Sequence, residues 1–213
     1  MKKTVLCFGD SNTYGSAPAG ERYGIDIRWP RRMATLLGDD YDIIESALGG
    51  RTCLQDDPVE GGYKSGAAYL PPCLLSHNPL DLVIIMLGVN DTKERYALNA
   101  FTIAQGAGEL IKLVKQYGVD EHGNTPKILL VSPILVGENL MQIDRMNAIF
   151  GEAAIGKAKG FAVEFKRIAD EFGVEFIDAA KYAEPSPRDA IHMEPEGQLA
   201  LAEAFAAKVR EIL

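Results

Sequence analysis

The run Leu82-Val83-Ile84-Ile85-Met86-Leu87, followed by Gly88-Val89-Asn90-Asp91, decides how this chain is read. An apolar stretch with no polar alternation describes a strand covered on both faces, as in the middle of a parallel sheet. Ile128-Leu129-Leu130-Val131, within Lys127–Ser132, repeats the pattern. Further β-like runs occupy Thr4–Phe8, Tyr41–Glu45 and Val174–Asp178. Between them lie amphipathic stretches. Trp29–Leu37 carries Trp29, Met33, Leu36 and Leu37 at helical spacing, and Phe101–Tyr117 and Phe161–Phe172 behave alike. Gly173 is placed to stop the last of these, and Pro195 to start a helix running towards Leu213.

Strand–helix alternation along the whole chain predicts an α/β fold. The expected form is a three-layer α/β/α sandwich on a flavodoxin-like five-stranded parallel sheet of order 2-1-3-4-5, a single domain over residues 1–213. Two stretches, Thr52–Pro79 and Pro133–Lys157, read as long irregular loops.

Composition narrows the partners. At 213 residues, the chain can bury one sizeable core. A formal charge of −8 with no basic run argues against nucleic acid or an anionic membrane surface. No stretch approaches the roughly 20 apolar residues of a membrane span. The start, Met1-Lys2-Lys3-Thr4 and Val5-Leu6-Cys7-Phe8, is too short a run for a secretory signal. Cys7, Cys53 and Cys73 are odd in number with no CxxC spacing, so a reducing cytoplasm is expected. No HxxxH or Cys/His cluster calls for a metal, and no cofactor is implied.

The chemistry lies at the ends of the strands. Ser11 follows the first, in Gly9-Asp10-Ser11; Gly50 follows the second, in Leu48-Gly49-Gly50-Arg51-Thr52; Asn90 follows the third. Asp189 and His192 come after the fifth, ahead of the final helix. The carboxyl edge of such a sheet is where ligands bind. Acyl transfer needs an activated hydroxyl, a base and an orienter, and donors aimed at a developing oxyanion. Ser11, His192 and Asp189 fit the first set. The backbone N–H groups of Ser11 and Gly50, with the Asn90 amide, fit the second.

These blocks resemble the SGNH hydrolases, or GDSL esterases, in the family's order and over nearly the whole chain. The similarity is greatest to the arylesterase/acyltransferase branch, through Leu6-Cys7-Phe8-Gly9-Asp10-Ser11, Gly50-Arg51-Thr52 and Asn90-Asp91-Thr92-Lys93. It implies a serine esterase acting on short acyl or aryl esters, with acyl transfer to alcohols in some members, and it allows self-association. Tyr14 and Ser16 stand where that branch often has tryptophans, Val89 replaces a threonine, and Gly49-Gly50 replaces a Ser-Ala pair. A roomier, less apolar entrance admits water, so hydrolysis is expected over transfer. A carbohydrate O-acetylesterase is the alternative within the family. A non-enzymatic flavodoxin-like module is the alternative outside it, disfavoured because Asp10 would repel a phosphate.

Each residue also has a plainer reading. Ser11 is a good helix cap. Asp10 is expected to hold the nucleophile loop, and Asp91 to serve a turn or cap. Asp56, Asp57 and Glu60 read as a solvated acidic face. Arg51 either orients substrate or pairs with one of those acids. Met141 and Met146, with Leu140 and Ile149, either pack in the core or line an acyl pocket. His77 and His122 read as turn residues.

Overall fold

Five parallel strands form one sheet, and the computed structural model describes residues 2–18 and 20–213. The strands are β1 (Lys3–Gly9), β2 (Tyr41–Ala47), β3 (Leu82–Met86), β4 (Lys127–Ser132) and β5 (Glu175–Asp178). Their order is β2-β1-β3-β4-β5, as the alternation predicted. Every residue of β3 is buried, which is why its sequence shows no polar alternation. The register pairs Gly9 with Ala47 on one side and with Met86 on the other. The ends of β1, β2 and β3 are therefore level, and the loops that follow share one edge.

Side chains of the strands alternate between two cores. Leu6, Phe8, Val83 and Ile85 face one, with α3 (Gly66–His77), α4 (Ala100–Tyr117), α6 (Ala153–Lys159) and α7 (Phe161–Phe172). Val5, Cys7, Ile84 and Met86 face the other, with α2 (Trp29–Leu37) and α8 (Pro195–Ile212). Trp29 meets Phe205 edge-on there, ring centroids 4.7 Å apart. Short helices α1 (Ser11–Tyr14) and α5 (Asp144–Phe150) complete the set. Gly173 ends α7 with φ 63°, its N–H bonding the carbonyls of Ala169 and Asp170.

The stretches expected to be irregular are partly helical. Thr52–Pro79 contains α3, and Pro133–Lys157 contains α5 and most of α6. Pro71 and Pro72 hid α3, because each removes a backbone donor from a helix interior. Its start is nonetheless capped by Ser65, whose Oγ accepts the Ala68 N–H at 3.2 Å. Burial of Leu70, Cys73 and Leu74 in the core supplies the stability that propensity withholds. The helices α5 and α6 span only seven residues each, too short for a periodic signal. Among the described residues, no helix is long and apolar enough to cross a membrane.

Candidate active site

At the end of β1 the chain turns sharply into α1. A Cβ on Gly9 would sit 2.0 Å from Thr13 Oγ1, so only glycine allows the helix to fold back this closely. Asp10 caps α1, its Oδ1 accepting the Asn12 N–H at 2.9 Å. Ser11 is the first helical residue and keeps a small opening to solvent. Asp10 thus holds the turn that carries Ser11. Burial pushes its carboxyl up to about 6, against the Asn12 N–H and the charge of nearby His192, which favour ionisation.

The loop before α8 builds the second part. Asp189 is buried, and its Oδ1 accepts the N–H groups of Ile191 (3.0 Å) and His192 (2.9 Å). Its Oδ2 lies 2.6 Å from His192 Nδ1. A carboxylate acceptor places the proton on Nδ1 and leaves Nε2 as the basic nitrogen. Burial alone would raise the Asp189 pKa, yet the His192 contacts hold it below the usual carboxylate value. This loop is tied to α1, the helix that carries Ser11. Asn12 Nδ2 donates to the Ile191 carbonyl at 3.1 Å, and Gln198 Nε2 donates to the Asn12 carbonyl at 3.1 Å. Gln198 Oε1 also accepts the Trp29 N–H. Ser11 Oγ itself makes no hydrogen bond among the described residues, to His192 or to any other group.

Gly50 and Asn90 lie on two further loops. Gly50 has φ 81°, and a Cβ there would lie 2.8 Å from Glu60 Oε2 and 3.3 Å from Lys64 Cε. Lys64 Nζ donates to the Gly49 carbonyl at 2.8 Å. Asn90 begins the 3-10 turn Asn90–Thr92. Its Nδ2 donates to the Arg51 carbonyl at 3.1 Å and, at the long distance of 3.4 Å, to Asp10 Oδ2. One amide thus joins the first, second and third blocks. No group of three or more His, Cys, Asp or Glu side chains is placed to hold a metal ion among the described residues.

A family model described as "GDSL-like Lipase/Acylhydrolase family" matches residues 7–200. The chain belongs to that family. It is therefore an ester-hydrolysing enzyme of the SGNH type. Solved structures agree. A carbohydrate acetylesterase from Sinorhizobium meliloti is similar with a TM-score of 0.92 and 37% identity, covering 100% of each chain. The native aryl esterase of M. smegmatis has the same TM-score and identity, covering 99% of this chain and 100% of its own. A second carbohydrate acetylesterase family member from S. meliloti reaches 0.91 at 32% identity, with 99% of each chain covered. No curated protein matches the sequence.

In this GDSL-like hydrolase several plainer readings need correction. Asp91 lies in the Asn90–Thr92 turn, as expected, but its side chain does more than serve that turn: both oxygens accept the Cys53 N–H (3.0 and 3.1 Å) and bind the second-block loop to the third. Burial, with Asp10 nearby, pushes its carboxyl up to about 7, against the Cys53 bond. Asp57 is not solvated. It is fully buried between Lys93 Nζ (3.2 Å) and Arg95 Nη1 (2.8 Å), and Lys93 also holds Glu60 at 2.8 Å. Arg51 pairs with none of those acids. Its Nη1 donates to the carbonyls of Gly9 (3.0 Å) and Ser46 (2.8 Å), pinning β1 to β2. Leu140 is buried in the core and Met146 and Ile149 pack half-buried against it, as the packing reading expects, while Met141 is exposed. His77 ends α3, bonded to the Cys73 carbonyl, and His122 lies in an exposed turn.

Asn12, Gln198 and the Lys93–Asp57 pair were not singled out from sequence. Gln198 carried a usable signal: it shares a helical face with Leu201 and Phe205, where a polar residue needs a partner.

Proposed function

We propose that this enzyme hydrolyses short-chain acyl esters through an acyl-serine on Ser11, with His192 as base and Asp189 as its orienter. The observation that carries this reading is the 2.6 Å contact of Asp189 Oδ2 with His192 Nδ1, on a loop bonded to the Ser11 helix through Asn12. In the acylation step Ser11 Oγ bonds to the ester carbonyl carbon and its proton passes to His192 Nε2. The carbonyl π pair moves onto oxygen, where the N–H groups of Ser11 and Gly50 and the Asn90 amide receive it. Collapse breaks the ester C–O bond, and Nε2–H protonates the departing alcohol. Water then attacks the acyl-serine with His192 again as base, releasing the acid and restoring the hydroxyl. Asn90 serves by giving up its long contact with Asp10, and Ser11 Oγ swings to Nε2 as substrate seats; catalytic hydrogen bonds often close only in the complex.

The same chemistry accepts an aryl alcohol or a sugar as leaving group, and relatives named for each match the chain equally well. Transfer to alcohols is a minor activity in this reading. Buried free Cys7, Cys53 and Cys73 suit the expected cytoplasmic setting. A fluorophosphonate label followed by peptide mass spectrometry is expected to mark Ser11. Ser11→Ala is expected to keep the fold and lower kcat on p-nitrophenyl acetate by several orders of magnitude. Label on another residue, or near-normal turnover in that variant, rejects the assignment. Comparing acetate release from acetylated oligosaccharides and phenyl acetate decides the leaving group.

A further inference from the structure

We propose that a cavity behind the second block is a binding site for a small organic carboxylate, held by Arg51 with its apolar part against Tyr63 and Tyr69. The cavity measures about 590 Å³, and its walls include Ser46, Leu48, Arg51, Tyr63, Tyr69 and His77. None of these is a residue of the acyl-transfer reading, and the inference does not rest on it.

Arg51 is a buried cation that makes no ion pair among the described residues. Arg51 is only 4% exposed, and a guanidinium stays protonated in a protein. Of the acids named as possible partners, Asp57 and Glu60 are taken by Lys93 and Arg95, and Asp56 accepts the backbone N–H groups of Asp57 and Lys64. Only Nη1 is satisfied, by two carbonyls; Nε is buried without a partner, and Nη2 donates to no protein group. The rings of Phe8 and Tyr69, 4.4 and 5.0 Å from the guanidinium carbon, offset part of the desolvation cost. Asp10 acts on Arg51 only through space, with no hydrogen bond or ion pair between them, so the desolvated guanidinium keeps donors that an anion at the cavity wall would satisfy.

The walls select the kind of anion. Glu45, also at the wall, is already neutralised by Arg28 Nε and Nη2, both at 3.0 Å. Tyr63 and Tyr69 are 88% and 47% exposed, so two aromatic faces are open to an apolar group. A cationic donor, Arg51 Nη2, beside aromatic rings suits a carboxylate on a small apolar body.

The test uses benzoate, titrated calorimetrically into the whole protein and into protein treated with a fluorophosphonate. The expected result is a Kd on the order of 1 mM, the same in both samples, with no binding of neutral benzyl alcohol. Tyr63→Ala, at an exposed position, should weaken binding by about threefold or more, and Arg51→Gln should abolish it. Failure of benzoate to bind, equal binding of benzyl alcohol, loss of binding on fluorophosphonate treatment, or an unchanged Kd in Tyr63→Ala would each overturn the proposal. The Tyr63 variant keeps the test decisive should Arg51→Gln fail to fold.

Discussion

Asn12 and Ile191 stand 179 positions apart in the chain, and the side-chain amide of the first donates to the carbonyl of the second at 3.1 Å. One neighbours Ser11 and the other neighbours His192, so this bond ties together the loops that carry the proposed nucleophile and base. Asn12→Ala leaves a buried carbonyl without its donor, at a cost of about 1–3 kcal/mol. Because small misplacements at a reacting centre are expensive, kcat should fall by roughly tenfold or more. Urea melts and p-nitrophenyl acetate kinetics measure both; an unchanged kcat would show that the tie does not position the pair.

Asp189→Asn tests the orienter. The amide oxygen can still accept the N–H groups of Ile191 and His192, so the loop should keep its shape. Its NH₂ would then face Nδ1, forcing the proton to Nε2, where a base cannot use it. We expect a fall in kcat on the order of 10²–10⁴ with little change in melting temperature. Turnover at the wild-type level would remove Asp189 from the mechanism.

Gly50→Ala probes the oxyanion donors. The backbone is left-handed there, and the new Cβ would press on Glu60 Oε2 at 2.8 Å. Glu60 Oε2 ends a flexible side chain that can give way, but a side chain at φ 81° is strained, and relieving that strain should shift the loop and move the Gly50 N–H. A misdirected donor should lower kcat by about 10–100-fold while KM changes little. A rise in KM alone would mean that Gly50 shapes binding rather than the transition state.

Asp10 and Asp91 make stability depend on pH. Burial raises both above the 3.8 of a free carboxyl, to about 6 and about 7. Between about pH 4 and 7 the native state therefore holds protons that the unfolded chain has released, and stability falls as pH rises through that window. Asp57 and Asp189, shifted down, act oppositely: their contribution is present above about pH 4 and is lost on acidification below it. Asp91→Asn removes one raised group, so the variant should gain on the wild type by a few kcal/mol from pH 5 to 8. Denaturant melts at the two pH values give the difference, and a constant gap between the proteins contradicts it.

Much of this arrangement was legible beforehand. The buried strands declared themselves because both faces are covered, and helices α2 and α7 matched their predicted bounds because one apolar stripe faces a core. The blocks around Ser11, Gly50, Asn90 and His192 could be placed on one edge, since parallel strands put all their carboxyl ends together. Helix α3 escaped notice because its local chemistry, with two internal prolines, opposes the tertiary packing that decides it. Asp57, and the acid-pairing alternative for Arg51, were misjudged for a similar reason. A charged residue reads as solvated until its long-range partners are known, and Lys93 lies 36 positions from Asp57.

Strand identity, sheet order and the residue types of the site were thus properties of the sequence, because periodicity and turn chemistry act over a few neighbours. The pairing of Asn12 with Ile191, the bond from Asp91 to Cys53, the buried Lys93–Asp57 pair and the unpaired charge of Arg51 were decided only by the fold. Hydrogen bonds and ion pairs depend on a few ångströms in space, and the chain order does not encode that distance.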